Sequence, residues 1–196
     1  MNRLAQEQRP FSISGMLLVA TPKISEGLFQ QSVCLVVDHG ENGAAALLLN
    51  RPMVLPDTKS LNLENELPSV SGSLVKNRLH FGGPCSGPLV AIHDQAQYGD
   101  AGGGNGIYLA ADIGKVKLAA ESAADHFRLV IGHSLWQKGQ LEQEIREGHW
   151  YVIPALPDLV FASDDEMWGR GLCFVGRAVF AQVTGIRHFP TSPLLN

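Results

Sequence analysis

The stretch VCLVVDHGENGAAALLL, residues 33–49, decides the fold. Two apolar runs, Val33–Val37 and Ala44–Leu49, stand on either side of the short turn Gly40–Gly43. A turn of this length typically joins two antiparallel strands that are neighbours in one sheet. Neither run alternates apolar with polar residues, which is typical of strands covered on both faces. The sequence therefore predicts a central antiparallel pair.

Outward from this pair, further apolar segments predict more strands, interspersed with helices. The predicted strands are Gly15–Ala20, Leu79–Phe81, Leu89–His93, Ile107–Ala110, Arg128–Gly132 and Trp150–Ile153. The predicted helices are Ile113–His126 behind the N-cap Asp112, Gly139–Glu147, and one that starts at the capping box Ser163–Glu166. The segments between them are predicted as a helical turn at Phe29–Ser32, one or two helical turns at Ser60–Leu67, a flexible loop at Gly99–Gly106 and a connection at His133–Lys138. Hairpins beside helices indicate a mixed α+β fold.

Length and composition bound the class of protein. A chain of 196 residues fits one domain, so we expect a single domain over residues 1–196 with a polar tail at 1–14. With 45% hydrophobic and 17% charged residues, the chain is neither a collagen, nor a coiled-coil rod, nor a charged disordered protein. The tail lacks the apolar stretch of a signal peptide, and no apolar run reaches the length of a membrane span. We expect a cytoplasmic protein with no membrane association.

Charge argues against a nucleic-acid partner. Fifteen Lys and Arg against nineteen Asp and Glu give a net charge of −4, and no basic run stands out. Nucleic-acid binding draws most of its affinity from neutralised phosphates, which needs a concentrated basic face. We therefore expect an unknown small molecule or a protein as the partner.

Cofactor and metal motifs are missing from the sequence. The glycine cluster Gly99–Gly106 leads into a strand, whereas a phosphate cradle needs a helix N-terminus behind it. The pairs Asp38-His39 and His93-Asp94 put an acid beside an imidazole, but adjacent strand residues point to opposite faces. The three cysteines form no C-x-x-C pair, and Cys34 lies in an apolar run typical of the core. We expect neither a cofactor nor a metal.

A nucleophile is the main catalytic alternative. Ser134 follows a predicted strand in a way that imitates a G-x-S-x-G nucleophile elbow, but Trp136 stands where the second glycine belongs. Cys85 follows Gly82-Gly83-Pro84, where its thiol could be exposed beside a histidine. A turn serine is the simpler interpretation, and a hydrolase that uses Ser134 or Cys85 stays open as the alternative function.

Binding chemistry is concentrated at strand ends and turns. Asn50 and Arg51 close a buried strand, where a guanidinium can hold a carboxylate or phosphate, or an internal acid or carbonyl. Trp136 is an amphipathic ring in a predicted connection, suited either to a ligand or to the core.

Several short motifs, read in order, resemble one family. They are Gly15–Pro22; Phe29-x-x-Ser32-Val33 with His39; Gly43-Ala44 leading to Leu49-Asn50-Arg51-Pro52; Gly82-Gly83-Pro84 with His93; Trp136-x-x-Gly139-Gln140-Leu141-Glu142-x-Glu144; Trp150; and Phe161 with Trp168. Over about residues 14–175 the chain resembles the AlgH/YqgE family. The resemblance implies a largely antiparallel, bifurcated sheet that folds into a pseudo-barrel with flanking helices. It implies no established enzymatic activity; the family carries a transcriptional-regulator label, which no helix-turn-helix signal here supports.

These observations predict a non-catalytic binding or regulatory domain. Loops on a rigid scaffold commonly carry binding, and the turns here gather the polar residues. The predicted groove consists of Thr21, Pro22, Ser32, His39, Asn50, Arg51, Gly82, Gly83, Trp136, Gly139 and Gln140.

Overall fold

The structure is a computed structural model that describes residues 12–53, 79–122 and 126–185. Its strands are β1 Met16–Ala20, β2 Val33–Gly40, β3 Gly43–Leu48, β4 Leu79–Phe81, β5 Cys85–His93, β6 Ala101–Gly104, β7 Ile107–Ala110, β8 Phe127–Gln137 and β9 Trp150–Pro154. Its α-helices are α1 Ile113–Ser122, α2 Gln140–Arg146, α3 Pro157–Val160 and α4 Asp164–Thr184, and a 3-10 turn spans Ala96–Tyr98. No helix in the described ranges has both the length and the apolar character needed to cross a membrane.

The predicted central pair is confirmed. β2 and β3 form a hairpin closed by Gly40 opposite Gly43, with a bulge between Val36 and Asp38. The sheet order β6-β7-β5-β8-β3-β2-β1-β9 places β1, β2 and β3 between neighbours on both sides. Both faces of β2 are covered, since Leu35 lies in one core and Cys34 in another, which is why this segment carries an uninterrupted apolar run.

The sheet divides along the long strand β8. The first half of β8 pairs with β5 on one side and, in parallel, with β4 on the other. Its second half pairs with β3 through residues 134–137. β4 lies in the gap where β3 and β8 separate. Just after β4, the backbone N–H of Gly82 donates to the Ile131 carbonyl and the Gly82 carbonyl accepts from the Leu48 N–H, so this residue is bonded to both strands. We call this place, at Gly82 and Gly83, the fork.

The sheet curls into the expected pseudo-barrel, with β6 left as an open edge strand. The glycine backbone of β6 lies against Gly15, where a Cβ atom would be 3.0 Å from the Gly103 carbonyl oxygen. Alternate residues of β2 then serve two cores, with Leu35 facing the core under α4 and Cys34 facing the core under α2. A third core packs α1 against β5 and β8. The α+β class and the pseudo-barrel are thus confirmed.

Five local predictions need correction or lie outside the described residues. β6 occupies half of the predicted loop Gly99–Gly106, and β8 continues through most of the predicted connection His133–Lys138. Residues 28–31 form turns rather than a helix, and the helical turns predicted at Ser60–Leu67 lie outside the described residues. α4 starts where predicted, yet the Ser163 side chain makes no capping hydrogen bond.

Candidate ligand-binding cleft

An open cleft lies between the loop 23–29 and helix α2. Its volume is about 530 Å³, and Trp136 of β8 and Trp150 of β9 line it together with Gln140 and Glu144 of α2. Leu135 and His149 complete the lining. We call this the aromatic cleft. Its volume falls within the range of ~300–1,000 Å³ that is typical of small-molecule sites.

The carboxylate of Glu144 organises the cleft. Its Oε2 accepts hydrogen bonds from both indole N–H groups, at 2.9 Å from Trp136 and 2.8 Å from Trp150. Its Oε1 accepts a hydrogen bond of 3.0 Å from the Gln140 amide. All three donors are neutral, so none of them supplies a countercharge to the carboxylate.

Local sequence places this carboxylate. Gly139 has a φ of +77°, a conformation that suits glycine and turns the chain from β8 into α2. The side-chain oxygen Oε1 of Gln140 accepts a hydrogen bond of 3.0 Å from the backbone N–H of Gln137. The side-chain Nε2 of the same residue donates to the Glu144 carboxylate. Residues four apart lie on one helical face, so Gln140 and Glu144 point to the same side. The motif from Trp136 to Glu144 is therefore a single hydrogen-bonded unit.

Three aromatic rings pack at the base of the cleft. The Phe29 ring lies 5.8 Å from the Trp136 ring and 5.5 Å from the Trp150 ring, and the two indoles meet edge to face at 6.1 Å. Both indoles are largely buried, so they anchor β8 and β9 as well as line the cleft. Edge-to-face contacts of this kind stabilise aromatic clusters beyond simple burial.

Of the residues predicted from the sequence, Trp136 and Gln140 line the cleft, with Gly139 beside them. Thr21 lies two residues before the loop 23–29, and its hydroxyl donates to the Gly148 carbonyl at 2.8 Å. Pro22, next to it, is exposed.

Three further predicted residues lie behind the cleft wall that carries Phe29. Arg51 donates to the carbonyls of Leu28, Gln30 and Asn50. Asn50 accepts from the Val33 amide at 3.0 Å and donates to the Gln31 carbonyl at 2.9 Å. The Ser32 hydroxyl donates to the Phe29 carbonyl at 2.8 Å. These side chains fix the loop whose Phe29 faces the two indoles.

The remaining predicted residues lie elsewhere. At the fork, a Cβ atom on Gly82 would overlap the Gly132 carbonyl, and one on Gly83 would overlap His133. His39 is partly buried beside α2, and its side chain is 7% exposed. Its Nε2 lies 3.2 Å from Glu142 Oε1 without the alignment of a hydrogen bond, and its Nδ1 accepts from the Ile13 amide.

The candidate nucleophiles differ in exposure. Ser134 is buried at the fork and its hydroxyl donates to the Gly82 carbonyl at 3.4 Å. Cys85 is half-buried and pairs with His133 across β5 and β8. Burial raises the pKa of Cys34 to about 12, which keeps that thiol protonated.

A second polar cluster, which we call the clasp, joins β4, β8 and α4. Arg128, only 6% exposed, donates to the carbonyls of Leu49, Val160 and Ala162 and to Asp164 Oδ1. His80 Nε2 lies 3.0 Å from the same carboxylate. Burial raises the pKa of Asp164, but hydrogen bonds from His80 and Arg128 outweigh it and hold that pKa below its usual value.

Sequence reasoning missed Phe29, Glu144 and Trp150 as cleft residues. All three belong to the motifs that carry the family resemblance, but nothing in their spacing indicated that one carboxylate receives two indoles. That contact joins β8, α2 and β9, and only the fold brings these elements together.

The curled, largely antiparallel sheet flanked by helices places the chain in the α+β class. The chain belongs to the AlgH-like family, whose sequence profile matches residues 17–179. It is 31% identical over 166 residues to a UPF0301 protein of Pelodictyon phaeoclathratiforme, covering 80% of this chain and 83% of that one. A UPF0301 protein of Ruegeria pomeroyi is also 31% identical, over 84% of this chain and 92% of its own.

Two solved structures share the fold. The crystal structure of a Corynebacterium diphtheriae protein is 30% identical and superposes with a TM-score of 0.62, covering 84% of this chain and 87% of that one. The solution structure of AlgH from Pseudomonas aeruginosa is 22% identical with a TM-score of 0.63, over 95% of this chain and 100% of that one. The resemblance drawn from the motifs is therefore confirmed.

Proposed function

We propose that this protein is a non-catalytic cytoplasmic binding domain whose ligand enters the aromatic cleft. The observation that carries the proposal is the Glu144 carboxylate, which is half-buried in an open cleft and, among the described residues, is held by neutral donors. A fixed charge that faces open space is suited to a ligand, since orientation of a ligand depends on a few well-placed polar groups in an apolar setting.

The predicted groove residues divide between two roles in this proposal. Trp136 and Gln140 contact the ligand directly, because they line the cleft. Ser32, Asn50 and Arg51 act as positioning residues, since their hydrogen bonds hold the loop that carries Phe29. Any regulatory role would follow from occupancy of the cleft, through the loop 23–29 and helix α2 that form its walls.

The hydrolase alternative draws less support. The Ser134 hydroxyl is buried and engaged with a backbone carbonyl, whereas an activated serine needs access to substrate and a base within hydrogen-bond reach. Cys85 is better exposed and stays the alternative nucleophile. A single stoichiometric iodoacetamide adduct at Cys85, formed far faster than at the exposed Cys173, would favour a thiol enzyme.

The proposal is tested by observing the cleft directly. In ¹⁵N-labelled protein, the three indole N–H signals are titrated with an amine, a carboxylate, a phosphate ester and a neutral amide. At least one probe is expected to shift the Trp136 and Trp150 signals in a saturable way. Trp168 serves as the internal control, because its indole donates to the Ala20 carbonyl at 2.7 Å instead.

A variant that fills the cleft provides the matched control. Ser25 is exposed on the cleft loop, so Ser25→Trp is expected to abolish the shifts without unfolding the protein. If no probe of any charge class moves the two signals, or if Ser25→Trp binds as well as the parent protein, the cleft is not the binding site.

A further inference from the structure

Charges around the aromatic cleft are unevenly compensated. Glu144 and Glu26 are its acidic lining residues, and Lys23 and His149 are its basic ones. The Lys23 ammonium donates to the Glu147 carbonyl at 2.8 Å, and His149 Nδ1 lies 3.6 Å from the Glu147 carboxylate. Within the described ranges, no Lys, Arg or His nitrogen lies within ion-pair distance of Glu144. The central carboxylate of the cleft therefore lacks a countercharge from those residues.

Other acids in the same fold do have one. Asp164 pairs with Arg128, Asp100 with Lys115 and Glu166 with Arg170. Glu144 instead accepts its hydrogen bonds from two indoles and an amide, which fix its direction. A carboxylate held rigidly by neutral donors is arranged to meet a charge from outside, because the ordering cost of the group is already met within the fold.

The walls of the cleft suit the same kind of ligand. Aromatic rings attract cations through their negative faces, and the partly exposed Phe29 ring lies here against the two largely buried indoles. Leu135, 57% exposed on the cleft wall, offers apolar surface to a hydrocarbon stem. Lysine and arginine combine such a stem with a charged head.

We infer that the ligand of the aromatic cleft carries an organic cation, a primary ammonium or guanidinium on a short apolar stem, that pairs with Glu144. The inference rests on the proposed function and adds the chemical class of its ligand. The same head group occurs on free amines and on the lysine or arginine side chains of a protein partner. An anionic head group is disfavoured, because it would face Glu144 while the Lys23 ammonium is engaged with the Glu147 carbonyl.

The test uses probes that differ only in charge or in source. Capped lysine (Nα-acetyl-lysine N-methylamide) is compared with capped norleucine, which keeps the stem and lacks the ammonium, and with cadaverine as a free diamine. Capped lysine is expected to shift the Trp136 and Trp150 indole signals saturably, and capped norleucine is expected to leave them unmoved. Tighter binding of capped lysine than of cadaverine identifies a protein side chain as the source; the reverse order identifies a free amine.

Two variants separate charge from folding. Glu144→Gln keeps an acceptor for the indoles and removes the charge, so affinity for capped lysine is expected to fall at least tenfold. Leu135→Lys, at an exposed position, places a competing ammonium beside Glu144 and is expected to weaken binding to a similar degree. Glu142→Gln, on the same helix but facing His39, is the matched control and is expected to bind like the parent protein.

The possible failures are distinguishable. Unchanged affinity of Glu144→Gln, or equal binding of capped norleucine, overturns the cation inference. If the neutral, carboxylate or phosphate probes shift the indole signals and the cations do not, the cation inference fails while the cleft remains a binding site. If none of the probes shifts them, the proposed function fails as well.

Discussion

The clasp and the aromatic cleft are each built around one charged side chain, yet they use it in opposite ways. In the clasp, the Arg128 guanidinium is buried and matched by the Asp164 carboxylate and three carbonyls. In the cleft, the Glu144 carboxylate is half-buried, matched by neutral donors and open to a volume of about 530 Å³. A charge compensated inside the fold holds elements together. Among the described residues Glu144 has no countercharge, and we propose that its charge is available to a ligand.

The largest expected effect comes from breaking the clasp. Arg128→Met leaves a partly buried carboxylate and three carbonyls without their donor, and removing one partner of a buried ion pair typically costs about 3–5 kcal/mol. Urea unfolding followed by circular dichroism measures the loss. The control is Arg170→Met, which breaks an exposed pair with Glu166 and is expected to change stability by less than about 0.5 kcal/mol. Equal losses of unfolding free energy in the two variants would contradict a structural role for the clasp.

The fork beside the clasp is expected to be almost as intolerant. Gly83 has a φ of +149°, and a Cβ atom there would overlap the His133 carbonyl and the Ser134 hydroxyl. Gly83→Ala is therefore expected to destabilise the protein by about 3 kcal/mol or more. Gly102→Ala, on the open edge strand with no atom within 4 Å of the added Cβ, is expected to stay within about 0.5 kcal/mol of the parent. A fully stable Gly83→Ala protein would contradict the packing of β4 against β8.

The cleft is expected to tolerate loss of its charge but not loss of its acceptor. Glu144→Leu leaves two buried indole N–H groups unsatisfied and is expected to cost about 2–3 kcal/mol. Glu144→Gln keeps an acceptor and is expected to cost about 1 kcal/mol. Thermal unfolding of both variants, each compared with Glu142→Gln, gives the ranking. A Glu144→Gln protein as unstable as Glu144→Leu would mean that the charge serves stability, as in the clasp.

The smallest expected effect is the dependence of clasp stability on pH. The pKa of Asp164 is lower in the folded than in the unfolded chain, so its ionised form stabilises the fold above the unfolded pKa. That contribution is expected to be constant from neutral pH to about pH 5 and to be lost as the pH falls through the folded pKa. Asp164→Asn removes the titrating group, so unfolding free energies measured from about pH 7 to about pH 3 are expected to fall less steeply than in the parent. If the unfolding free energy of the parent and of Asp164→Asn fell equally with pH, Asp164 would not contribute to acid unfolding.

Much of the sheet could be predicted from the sequence, for physical reasons that also explain the misses. Buried central strands carry long apolar runs, which is why β2 and β3 could be identified with their turn. β6 was missed because its sequence, AGGG, offers almost no side chains, and it exists through backbone pairing with β7. The second half of β8 was missed because the backbone at Gly132 departs from strand geometry, with a φ of +78°, before pairing resumes with β3.

The site was harder to predict than the fold. Asn50 and Arg51 were predicted as binding residues because they are polar and close a buried strand. In the described part of the chain, all hydrogen bonds of their side chains are to backbone groups. Trp136 and Gln140 were identified from the motif and do line a cleft, although binding by the predicted set stays a prediction. Glu144 was missed as a cleft residue because an acid on a short helix is usually a solvated surface group. Its position in the cleft depends on a hydrogen bond from Trp150, which belongs to a distant strand.

The most direct measurement is a crystal structure of this protein soaked with capped lysine. We expect the ammonium in the aromatic cleft, about 3 Å from the Glu144 carboxylate, with both indole hydrogen bonds retained and the stem along Leu135. A probe bound outside the cleft, or a cleft in which Glu144 has turned away from the indoles to pair with Lys23, would contradict the pairing of Glu144 with an external cation.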